Sequence, residues 1–118
     1  MNKHTLTNQK LRKMFLYINS ELFSNELPEP EFFVFHGTEK LFPLNFPANE
    51  IQGICVPCGN HYFIGLHVNQ NLNVAFCTMV HEMIHIWQME NKKTPSHYGW
   101  FMVWCNKAIE EFFYMDIN

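Results

Sequence analysis

Charge is scarce in this sequence. Only 16% of its 118 residues are Asp, Glu, Lys or Arg, and the formal balance is −3 with a pI near 6.1. No global basic field is present to hold a nucleic acid. The basic residues come in small groups, Lys10, Arg12 and Lys13, then Lys92 and Lys93, which read as solvated faces. Long apolar runs are also missing: none approaches the roughly 18 residues that a membrane-spanning helix requires. The opening Met1-Asn2-Lys3-His4-Thr5 leads into a polar, basic stretch without the apolar centre of a secretory signal. The expectation is a cytoplasmic protein with no membrane partner, its four Cys kept as reduced thiols. Internal repeats, low-complexity segments and linkers are lacking as well, so residues 1–118 read as a single domain.

What the chain has in quantity is apolar and aromatic surface. Hydrophobic residues make up 47% and aromatics 16%, with twelve Phe, which argues for a dense core and against disorder. From Leu6 to Asn25, Leu11, Met14, Phe15, Ile18, Leu22 and Phe23 recur at helical spacing. Leu27-Pro28-Glu29-Pro30 ends that helix. Glu31–His36 reads as a strand, Gly37–Glu50 as a loop, and Gln52–Val56 with Tyr62–Val68 as a hairpin around Cys58-Gly59-Asn60. A core helix follows from about Asn73, its expected N-cap, to Glu90. A last helix is expected from about His97 to Tyr114. The predicted class is α+β: an N-terminal helix, a small three-stranded antiparallel sheet, then two helices.

The richest signal is His81-Glu82-Met83-Ile84-His85, a complete H-E-x-x-H within the core helix. Residues four apart on a helix are separated by about 6 Å of rise and roughly 40° of rotation, so both imidazoles leave one face. That arrangement lets them share a tetrahedral Zn²⁺, with Glu82 placed as general base toward a water that the metal has acidified. The alternative is a set of hydrogen-bonded core histidines. Two His and a Glu on a helix that is apolar over most of its circumference are costly to bury without partners, however, and a metal ion is an economical partner.

A hydrolytic zinc site presents three protein ligands and keeps a fourth position open. The metzincin continuation would need Gly at position 88 and His at position 91, where this chain has Gln88 and Asn91. Two options remain for the third ligand. His97 lies across a loop that can fold back, and the spacing favours it. Glu110 or Glu111 would imitate a His₂Glu site, but both read as exposed charges on the last helix.

Cys55-Val56-Pro57-Cys58 lacks the second pair of a zinc ribbon and reads as a structural turn. Cys77 and Cys105 read as small core hydrophobes. Tyr62 and Tyr98 are the candidate oxyanion donors, and the Tyr62–Val68 strand is a candidate to pair with an extended substrate. His61 and His67 read as ordinary strand residues.

Several segments resemble the SprT-like, or Spartan-type, zinc metallopeptidase domain. Tyr17 to Pro28 looks like that family's opening helix with its Phe and Leu-Pro ending. Gly53-Ile54-Cys55 resembles its Gly-x-Cys strand, His81 to Trp87 its active helix, and His97 with Phe101 its downstream His-x-x-x-Phe. The resemblance covers most of the chain. It implies a zincin-like minimal metalloprotease core, one catalytic Zn²⁺ on His81, His85 and His97, Glu82 as catalytic residue, and protein substrates, which in its best-known members are trapped on DNA. The family commonly has Gly directly after the third His, whereas Tyr98 stands there and Gly99 follows. With a balance of −3, DNA is a weakly supported partner. The rival function is a zinc-containing module that binds protein or nucleic acid without cutting it.

Overall fold

The computed structural model describes residues 5–36 and 51–113, and the architecture is α+β. Helix α1 (Asn8–Leu22) starts where the Thr7 side chain accepts a hydrogen bond from the Lys10 backbone N–H at 3.2 Å. Leu11, Phe15, Ile18 and Asn19 form its buried stripe. The helix stops at Phe23, after which Ser24 and Asn25 take φ values of 55° and 60°. Asn19 holds the reversal shut: its amide donates to Leu27 O at 3.0 Å and accepts from Leu27 N–H at 3.2 Å. That pairing satisfies a buried polar side chain and delivers the chain to the first strand.

Strands β1 (Glu31–Phe35), β2 (Gly53–Cys58) and β3 (His61–His67) form one sheet in the order β1-β3-β2. The expectation of an all-antiparallel sheet is corrected: β2 and β3 are antiparallel, but β1 runs parallel to β3. A two-residue turn at Gly59-Asn60, with Gly59 at φ 61°, forces the β2–β3 reversal. A long connection separates β1 from the hairpin, so nothing local dictates its direction. The expected loop Gly37–Glu50 and the end of the last helix at Tyr114 lie outside the described residues. Within the sheet, Phe33 of β1 lies opposite Gly65 of β3, and its ring occupies the volume a Cβ would take there.

Helix α2 (Leu72–Glu90) packs against β2, β3 and α1. Its N-cap is Asn71, whose side chain accepts from Val74 N–H at 2.9 Å, rather than Asn73. Ala75, Met79, Met83, Ile84 and Ile86 meet Phe15, Ile18, Ile64 and Leu66 in the core. Helix α3 (Trp100–Ala108) packs back on α2 and passes into a single π-helical turn, Ile109–Phe113. It begins later than expected because Gly99, at φ 59°, breaks the helical path before it. Aromatic contacts fasten it: Trp104 lies 4.5 Å from Phe23 and 5.4 Å from Trp87, centroid to centroid. No helix among the described residues is long and apolar enough to cross a membrane.

Candidate metal centre

Three imidazoles converge where α2 meets the segment entering α3. His81 and His85 leave one face of α2, and His97 arrives from the loop that precedes Gly99. The His81 Nε2 atom lies 3.3 Å from His85 Nε2 and 3.2 Å from His97 Nε2. One ligand atom from each ring lies within 4.8 Å of the others, and among the described residues no fourth His, Cys, Asp or Glu joins them. Bonds of about 2.0–2.1 Å to a tetrahedral Zn²⁺ put ligand nitrogens about 3.3–3.4 Å apart. The two measured separations therefore match the edges of such a site, and the donor set fits a zinc ion.

Electrostatics point the same way. Burial, then the neighbouring His85 and His97 rings, push His81 down to about 4. His85 is also lowered, chiefly by burial. Both rings are therefore neutral near pH 7, the form a metal requires. Phe101 forms the wall behind them, with its ring centroid 4.9 Å from His81, 5.3 Å from His85 and 5.0 Å from His97.

Glu82 stands beside the imidazoles and lines one cleft with His81. Its carboxylate Oε2 lies 3.9 Å from His81 Nε2, and burial raises the group to about 7. Gly53 of β2 makes the position available. A Cβ there would sit 2.5 Å from Thr78 Cγ2 and 3.3 Å from Glu82 Oε2, so any side chain would clash with Thr78 and crowd the carboxylate. Beside the carboxylate runs a cleft of about 580 Å³ lined by Ile51, Gly53, Val74, Cys77, Thr78 and His81.

The other expected site residues are distributed differently. Glu110 and Glu111 are exposed on the terminal π-turn and do not approach the imidazoles. The Tyr62 hydroxyl donates to Glu90 Oε2 at 2.7 Å. Glu90 is eight residues beyond Glu82, roughly 12 Å along the helix, which takes Tyr62 away from the site. Tyr98 adjoins His97 and is 80% exposed. Strand β3 cannot accept an extended peptide, because β1 and β2 occupy both its edges; the outer edges among the described residues are those of β1 and β2.

Two cysteine expectations are also corrected. Cys55 and Cys58 are strand residues of β2, and the turn follows them. Being three apart, they project from opposite faces. Burial and then Glu82 push the Cys55 thiol up to about 12, so it stays protonated. Cys77 is exposed and lines the cleft, whereas Cys105 is partly buried against the core. Cys77 lies one turn before His81 and shares its face of α2.

Gln88, treated above only as a departure from another motif, is almost wholly buried at 2% exposure and hydrogen-bonded to His85. Its place three residues after His85, on the same side of the helix, is the sequence signal that marks it. No protein-family model, curated protein or solved structure matches this chain.

Proposed function

We propose that this chain is a zinc-dependent metallopeptidase of the SprT-like kind, hydrolysing peptide bonds in protein substrates. One observation carries the reading: a buried carboxylate, Glu82, stands 3.9 Å from the nitrogen of one of three converging imidazoles. A site that held zinc for structure alone would have no use for that acid and would ordinarily close with a fourth protein ligand. His81, His85 and His97 would hold the ion. When bound, zinc supplies Lewis-acid polarisation of the scissile carbonyl and acidifies water.

The protein's own groups do the rest. Glu82, held near 7 by burial, accepts a proton at neutral pH and returns it to the departing amine. The cleft between β2 and α2, with its apolar lining of Ile51, Val74 and Cys77, receives a substrate side chain beside that carboxylate. Among the described residues no strand pairs with the outer edge of β2, which begins at Gly53 beside Glu82, and that edge would offer backbone groups to an extended peptide. Protein is thus the favoured substrate class. Support for DNA is thin, since Arg12 is paired with Glu29 while Lys93 and Lys107 lie over Trp100 and Trp104.

The test compares zinc-loaded wild type with Glu82→Gln on an unfolded protein such as casein, with zinc content measured in both. Cleavage is expected to fall by about 10²- to 10⁴-fold at unchanged zinc occupancy. Equal cleavage by two equally loaded proteins would overturn the assignment.

A further inference from the structure

We infer that Gln88 is a positioning residue that sets two of the three imidazoles at once, orienting His85 directly and His97 through Ser96. The inference rests on the metal reading above. Gln88 is almost fully buried, and its side-chain amide makes three hydrogen bonds. Oε1 receives His85 Nδ1 at 2.8 Å and the Ser96 backbone N–H at 3.4 Å, while Nε2 donates to Ser96 O at 3.1 Å. Its backbone carbonyl also takes the Lys93 N–H at 2.7 Å. One residue therefore grips the connection between α2 and α3 at Lys93 and again at Ser96, immediately before His97.

Pairing with Ser96 decides which way the amide faces. Reversed, it would set its NH₂ against the Ser96 N–H and its oxygen against the Ser96 carbonyl, losing both bonds. The oxygen is thus directed at His85, and the neutral ring must carry its proton on Nδ1 to donate to it. The Nε2 lone pair is left pointing at the centre, 3.3 Å from His81 Nε2. Tautomer and ring angle of one ligand are coupled in this way to the arrival of another. A buried glutamine serving only to anchor the loop would need the Ser96 bonds and not the third one to His85.

Three measurements test this. In metal-free wild type, long-range imidazole ¹⁵N–¹H spectra should show His85 protonated at Nδ1; an Nε2-protonated ring would overturn the inference. In Gln88→Met, which keeps the volume and removes the hydrogen bonds, zinc affinity by chelator competition should fall about 10- to 100-fold. The visible absorption of the Co²⁺-loaded variant should change as His97 loosens. Gln88→Glu, able to receive His85 Nδ1–H but not to donate to Ser96, should recover part of the affinity. A folded Gln88→Met with wild-type zinc affinity and an unchanged Co²⁺ spectrum would overturn the inference. Should Gln88→Met fail to fold, the tautomer spectrum and Gln88→Glu still decide it. Zinc binding without peptide cleavage would remove the hydrolase reading alone and leave the affinity comparison to judge Gln88. A wild type that binds no zinc would overturn both.

Discussion

Glu82 gives the sharpest quantitative test, because the group proposed as general base should weaken the metal-free fold. Burial raises it from an ordinary 4.5 to about 7, so its charged form is disfavoured in the folded state. Below pH 4.5 the carboxyl is protonated both folded and unfolded and contributes no difference. Between 4.5 and 7 the folded chain holds a proton that the unfolded chain has released, and stability falls as pH rises. Above 7 the full cost applies, about 1.4 kcal/mol for each pH unit of displacement, or about 3 kcal/mol. His81 works in the opposite sense. Lowered to about 4, it makes no difference above its ordinary 6.5, where the ring is neutral folded and unfolded, and it costs stability as pH falls from 6.5 toward 4. Comparing Glu82→Gln with wild type cancels the histidine contribution and isolates the carboxylate. In chelator-treated protein the variant should match wild type near pH 4 and exceed it by about 3 kcal/mol near pH 8, roughly 10 °C in Tm. Thermal unfolding followed by circular dichroism across that range measures it. A Tm difference that does not change with pH would refute the argument that Glu82 is held in a low-dielectric position.

Two further substitutions probe the walls of the site. Gly53→Ala places a methyl 2.5 Å from Thr78 Cγ2 and should cost about 1–3 kcal/mol in denaturant unfolding. Adding Thr78→Ser, which removes that methyl but keeps the 2.7 Å hydrogen bond to Gln70 Oε1, should restore most of the loss; no recovery would mean the clash lies elsewhere. Phe101→Ala removes the ring that all three imidazoles touch and should destabilise the chain by about 3–5 kcal/mol, with zinc affinity falling in parallel. Calorimetric titration of the folded variant with zinc checks the second part, and an unchanged affinity would show that the wall does not hold the ligands.

The parts of the site legible in the sequence are those that one helix controls. His81, Glu82 and His85 take their relation from helical pitch alone, and that relation does not depend on the rest of the fold. His97 was legible for a weaker reason: a short polar loop containing Pro95 cannot travel far, so the next His is close to the first two. The phase of α2 was not legible. Apolar residues cover most of its circumference, so periodicity does not say which side faces the sheet. Cys77 consequently read as core although it lies on the cleft, one turn from His81. The direction of β1 and the middle position of β3 were hidden for a different reason. A hairpin is encoded by its two turn residues, but a parallel neighbour is chosen by packing between strands far apart in the chain, here by the fit of Phe33 over Gly65.

Gln88 and Gly53 belong to this non-local class. One acquires its role only when Ser96 returns to α2, and the other only when β2 is laid against Thr78 and Glu82. A ligand triad read from spacing therefore specifies what the site can bind. The contacts that bring the loop and β2 against α2 determine whether the three imidazoles and the carboxylate are held closely enough to act together.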